Sequence, residues 1–126
     1  LTPQSVHAMG GYRVQARSEE SADRLLADAM SLEKAGVFSL VLEGIPATVA
    51  KRVTESVRVP TIGIGAGPHC DGQVLVITDV LGLGADRTPK FVKRYANLKE
   101  EIRRAAQAFA ADVEAGTYPD EAHSYS

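Results

Sequence analysis

An α/β architecture with parallel strands is the fold class this sequence predicts, and three observations predict it. Helix-period and short apolar segments alternate in the order helix, strand, helix, strand, strand, helices. The strand-like runs are nearly continuous in apolar residues, as in Val37-Phe38-Ser39-Leu40-Val41-Leu42, which suits strands covered on both faces. Glycine and proline stand at the junctions, Gly36 before this run and Pro46 after it. Three strands are too few to close a barrel of about eight. Either the sheet is small and open, or its other strands lie on another piece of chain.

Residues 1–17 show no sustained period, and only Tyr12-Arg13-Val14-Gln15 reads as extended. Ser18 reads as a helix N-cap, with Glu19 and Glu20 where the helix dipole favours acids. Ala22, Leu25, Leu26, Ala29, Leu32 and Ala35 then recur at three- and four-residue spacing, so one face of this helix is predicted to be buried. Gly36 ends it as the left-handed C′ residue. After the first strand, Pro46 opens a second helix at its first turn, with Val49, Ala50 and Val53 inward. Pro60-Thr61-Ile62-Gly63-Ile64 is a second buried strand, and Gln73-Val74-Leu75-Val76-Ile77-Thr78 a third, ending at Asp79.

Thr88-Pro89 starts a short helix, and Asn97 with Glu100 resembles a capping box for a longer one. That last helix runs through Ile102, Ala105, Ala106, Phe109, Ala110 and Val113 to Gly116, and the remaining tail has no period. No repeat, low-complexity segment or linker interrupts the chain, so it reads as one domain, 1–126.

Composition narrows the function classes. Of 126 residues 44% are apolar and 24% charged, a globular balance. Fourteen basic against sixteen acidic residues, with four Tyr and three Phe, offer neither a basic stripe nor many stacking platforms for nucleic acid. A single cysteine, Cys70, excludes an intrachain disulfide framework. No apolar stretch is long enough to span a bilayer, and Leu1-Thr2-Pro3-Gln4 lacks the charged and apolar regions of a signal peptide. A cytoplasmic enzyme or enzyme fragment is the expectation.

Glu43 is the most suggestive position for chemistry. It sits between the run ending at Leu42 and the helix-opening Gly44-Ile45-Pro46. The carboxyl ends of strands point into the active sites of α/β folds. An apolar wall there raises a carboxylate's proton affinity, which suits a general base. The competing reading is a helix-capping or surface acid at a strand–helix junction. Gly63-Ile64-Gly65-Ala66-Gly67 lets a ligand approach the backbone, or serves as a structural tight turn. It departs from the dinucleotide fingerprint twice: its spacing is Gly-x-Gly-x-Gly, and Pro68, Asp71 and Gly72 continue as loop into another strand. His7, His69 and His123 are far apart and lack ligand spacing, and Asp79 does not complete a metal set. Cys70 reads as an incidental loop thiol, and Lys90, Lys93 and Arg94 as a solvated helix face.

Several blocks together resemble one family. Leu1-Thr2-Pro3-Gln4-Ser5, Gly10-Gly11-Tyr12-Arg13-Val14-Gln15, Leu40-Val41-Leu42-Glu43-Gly44-Ile45-Pro46, Pro60 to Gly67 and Asp71-Gly72-Gln73-Val74-Leu75-Val76 look like successive blocks of ketopantoate hydroxymethyltransferase. The likeness continues through Pro89-Lys90-Phe91-Val92-Lys93 to Tyr118-Pro119 and Glu121-Ala122-His123-Ser124. It implies the C-terminal half of a (β/α)8 TIM barrel, in a family that forms large homo-oligomers, commonly decamers. It also implies hydroxymethyl transfer from 5,10-methylenetetrahydrofolate to 3-methyl-2-oxobutanoate, giving 2-dehydropantoate for pantothenate and coenzyme A synthesis. The family's catalytic glutamate falls on Glu43. A position packing on the keto acid's apolar end falls on Ile64. The resemblance further implies Mg2+ chelated by the keto acid, which acidifies the C3–H that Glu43 removes. The family's magnesium-binding aspartates and keto-acid-binding serine and lysine match nothing here. This chain alone is therefore expected to be inactive and to need a companion N-terminal barrel half. A half barrel would leave open strand edges and exposed apolar surface.

Overall fold

The chain's structure, a computed structural model, describes residues 14–84 and 88–125. Their contacts divide the chain into two compact units, Leu1–Leu75 and Val76–Ser126. The expected extended stretch falls partly outside the described residues, since Tyr12 and Arg13 do; so does His7. Gln15, at its end, belongs to no strand, and its N–H donates to the Gly44 carbonyl at 2.9 Å.

In the first unit, α1 (Glu19–Lys34) begins where the sequence predicts. Ser18 accepts from the Ser21 N–H at 3.3 Å while Ser21 Oγ accepts from the Ser18 N–H at 3.1 Å, a reciprocal box that satisfies two otherwise orphaned donors. Gly36, with φ +91°, takes the left-handed conformation that ends the helix. Ala22, Leu25 and Ala29 are its buried residues; Leu26 and Leu32 are half-buried, and Ala35 is exposed. β1 (Leu40–Glu43) starts later than expected and includes Glu43 as its last residue. Pro46 stands at the cap position of α2 (Ala47–Ser56) rather than inside its first turn. Val49, Ala50 and Val53 point inward, as predicted. β2 (Thr61–Ile64) matches the second expected strand almost residue for residue.

The third expected strand does not form over its predicted range. Only β3 (Gly72–Gln73) pairs, and Ile77–Val80 is instead a helical turn, α3. The reason lies in the neighbour. β2 ends at Ile64 and Gly65 turns away at φ +63°, so beyond the Val74 N–H, bonded to the Gly63 carbonyl at 3.0 Å, β3 has no adjacent backbone to pair with.

The sheet is parallel, in the order β1-β2-β3. Its register sets Leu40 against Thr61, Val41 against Ile62, Leu42 against Gly63 and Glu43 against Ile64. Alternation then decides which side each residue occupies. Leu40, Leu42, Thr61 and Gly63 face α1 and α2 in a core with Ala22, Leu25, Ala29, Val49, Ala50 and Val53. Burying a side chain such as Leu42 is worth about 1.5–3 kcal/mol. The opposite face is uncovered among the described residues: Val41 is 44% exposed and Val74 47%. Of the two faces expected to be covered, the described residues of this unit cover one, because both of its helices pack on the same side.

The second unit begins with α3 and returns on itself, so that the Tyr95 and Ala96 N–H groups donate to the Val80 carbonyl and Leu98 N–H to Leu81. The helix expected at Thr88-Pro89 is only a turn, closed by Val92 N–H on the Pro89 carbonyl. α4 (Leu98–Glu114) starts after Asn97, but the predicted capping box is absent because the Asn97 side chain makes no cap bond. Glu100 instead pairs with Arg103. Gly116, at φ +70°, follows its end. The apolar stripe predicted for this helix exists but is uncovered; Ile102, Phe109 and Val113 are all exposed. Phe109 meets Tyr118 edge-on, and a short 3-10 turn at Glu121–His123 is capped by Asp120.

Candidate functional site at the carboxyl end of the sheet

The site is built from the ends of β1 and β2 and the loops that leave them. Glu43 closes β1 on the uncovered face, in the same row as Ile64 on the next strand, with Val41 and Ile62 one row below. Neighbouring strands lie about 4.8 Å apart, so Glu43 and Ile64, singled out separately in the sequence, are lateral neighbours. The carboxylate therefore stands beside an apolar wall of Ile64, Ile62 and Val41. Glu43 is half-buried. The cap position of α2 itself is occupied by Pro46.

Gly44 turns the chain out of the strand at φ +63°, and its N–H donates to the Ile64 carbonyl at 3.0 Å, tying the two strand ends together. Ile45 then anchors the junction in the core at 3% exposure. After β2, Gly65 and Gly67 both adopt positive φ around fully buried Ala66. A side chain at Gly67 would place its Cβ 2.3 Å from Ala47 Cβ, so this loop lies directly on the first residue of α2. The loop continues to β3 and not into a helix, which removes the nucleotide-fingerprint reading.

Two polar residues unmarked in the sequence reading hold the loop's base. Thr61 is fully buried, and Asp71 Oδ2 accepts both its N–H at 2.8 Å and its hydroxyl at 3.0 Å. Those bonds favour the ionised carboxylate, and they hold the Asp71 pKa below the ordinary aspartate range. With the Thr61 proton given to Asp71, the Thr54 hydroxyl has its own proton to share between the Ala50 carbonyl and Thr61 Oγ1, both at 2.9 Å. The available signal was a lone threonine inside an apolar strand. Gln73, also unmarked, donates from Nε2 to the Gly67 carbonyl at 3.0 Å.

The other candidates do not gather here. His69 is exposed on the loop, and Cys70 is half-buried against the core. His123 lies in the second unit, 2.6 Å from Asp120 through Nδ1. Lys90, Lys93 and Arg94 are exposed as expected, but on a turn and not a helix; Lys93 Nζ stands 5.0 Å from the Tyr95 ring centre. Among the described residues, no group of three or more His, Cys, Asp or Glu is placed to hold a metal ion. Nor is any helix among them long and apolar enough to cross a membrane.

Comparison with known proteins adds to this geometry. The family model described as ketopantoate hydroxymethyltransferase matches residues 1–121. Proteins named 3-methyl-2-oxobutanoate hydroxymethyltransferase are similar over the whole chain: that of Geobacter metallireducens is 57% identical over 126 residues, 47% of its own length. That of Thermobifida fusca is 62% identical over 126 residues, 45% of its length. The Clostridium acetobutylicum protein is 53% identical over 125 residues. The chain thus spans about half the length of the curated relatives it matches.

Proposed function

The chain belongs to the ketopantoate hydroxymethyltransferase family, and from that premise we propose that it supplies the general base, Glu43, for hydroxymethyl transfer to 3-methyl-2-oxobutanoate. The observation that carries the reading is the pairing of Glu43 with Ile64 at the carboxyl end of a parallel sheet, on its uncovered face. Glu43 takes the C3 proton of the keto acid, and the resulting enolate carbon bonds to the methylene carbon carried by 5,10-methylenetetrahydrofolate. Water supplies the hydroxyl oxygen as that carbon's bonds to the folate nitrogens break, so that tetrahydrofolate leaves and 2-dehydropantoate is formed. Ile64 packs on the keto acid's isopropyl end and excludes water from the reacting carbon.

The described residues do not make a magnesium site. In this proposal the Mg2+ of the reaction, and the remaining keto-acid contacts, belong to an N-terminal barrel half outside this chain. One feature supports the half-barrel architecture: the second face of the parallel α/β sheet exposes Val41 and Val74. The proposal includes a cytoplasmic homo-oligomer, of the decameric kind common in the family, and an inactive isolated chain.

The test is exchange of the keto acid's C3–H in deuterated water without folate. The complete enzyme, assembled from this chain and its N-terminal half, should exchange the proton. Glu43→Gln should slow exchange about 10²–10⁴-fold, and this chain alone should show none. Undiminished exchange in the variant would remove Glu43 as the base.

A further inference from the structure

Gly63 is a glycine without a backbone reason to be one, since its φ lies outside the left-handed region. Its reason is room. A Cβ there would come 3.0 Å from Gln73 Oε1, 3.2 Å from Gln73 Nε2 and 3.0 Å from Cys70 Sγ, so the Gln73 amide lies across the strand where a side chain would stand. β3 pairs Gln73 directly with Gly63, which fixes where that amide starts. From this seat Nε2 reaches the Gly67 carbonyl at 3.0 Å. Gly67 in turn rests on Ala47, at the end of the short segment that leaves Glu43. Asp71, bonded to Thr61, pins the same loop at its base.

The geometry points to Gln73 as a positioning residue for the site. Seated in the space left by Gly63, it holds the glycine loop against the start of α2, and so fixes the wall formed by Ile64 beside Glu43. This rests on the proposed function, which makes that wall the keto-acid pocket. The bond from Gln73 to Gly67 is exposed, so the fold does not depend on it; water replaces it when it is lost. Its contribution is to the loop's placement.

The test uses the complete enzyme with Gln73→Met, which keeps the length but removes the donor, and Gly63→Ala, which keeps the donor but fills its seat. Two measurements are made on each: hydrogen exchange of the Gly65–Gly67 amides, and kcat and KM for the keto acid. Both variants should loosen the loop amides and raise KM about three- to tenfold, the range for one lost hydrogen bond. The thermal midpoint of Gln73→Met should stay at the wild-type value, and Gln73→Lys, which restores a donor, should recover most of the KM. Unchanged loop exchange overturns the proposal whatever the enzyme's activity. Loosened loop amides with unchanged KM also overturn it, as does a KM that rises only in step with a lowered thermal midpoint. A wild-type enzyme that does not exchange the keto-acid proton is a separate result: it defeats the proposed function first and the role of Gln73 with it.

Discussion

Gly67→Ala should be among the most damaging single-methyl changes in the first unit, and its cost can be worked in two parts. Gly67 has φ +75°, where an L-residue pays roughly 1–2 kcal/mol for its Cβ against the carbonyl. The added methyl would also stand 2.3 Å from Ala47 Cβ and 2.9 Å from Ala47 Cα. Relieving that overlap requires a backbone shift at the start of α2, about 1–3 kcal/mol for overpacking of this kind. The total is about 2–5 kcal/mol. Gly36→Ala isolates the first part, because Gly36 also has positive φ, +91°, yet its added Cβ would meet nothing within 4 Å. Urea unfolding followed by circular dichroism measures both variants. With a slope of about 1–3 kcal/mol per molar, Gly67→Ala should lower the midpoint by roughly 1 M more than Gly36→Ala. Adding Ala47→Gly should recover part of that difference, read as a coupling in a double-mutant cycle. Equal losses in the two glycine variants, or no coupling to Ala47, would refute the close approach of loop and helix.

Other consequences concern the sheet and its loop. Leu42→Ala removes a side chain only 1% exposed and should cost about 2–5 kcal/mol in any context. Val41→Ala, on the uncovered face, should cost well under about 1 kcal/mol in the isolated chain. Once the N-terminal half is added it should cost more, as thermal melts of both forms would reveal; an equal cost in both would argue against a covering half. Asp71 has a lowered folded pKa, so the stability it lends is complete above the ordinary aspartate value of 3.8 and is lost as pH falls through the folded value. Acid unfolding followed by circular dichroism should accordingly be steeper in that window for the wild type than for Asp71→Asn, and identical profiles would contradict the Thr61–Asp71 clamp.

The sequence by itself determined the elements whose signals are local. Ser18, Gly36 and the apolar spacing of Ala22, Leu25 and Ala29 delimit α1 through capping and periodicity alone. The apolar runs around Leu40–Leu42 and Thr61–Ile64 mark two strands, and Glu43 and Ile64 were each visible at a strand end. Tertiary structure decided what depends on a partner. Gln73–Thr78 has strand composition, but only Gln73 of it lies in a strand because β2 turns away at Gly65. Val41 and Leu42 are equally apolar, yet packing of α1 and α2 on one side buries one and leaves the other open. The same holds for α4, whose apolar stripe is legible in the sequence while its exposure is not. Register, above all, was invisible: that Glu43 stands beside Ile64, and that Gly63 makes room for Gln73, follow from which strand pairs with which. No local pattern encodes that pairing, because it is set by contacts between segments distant along the chain.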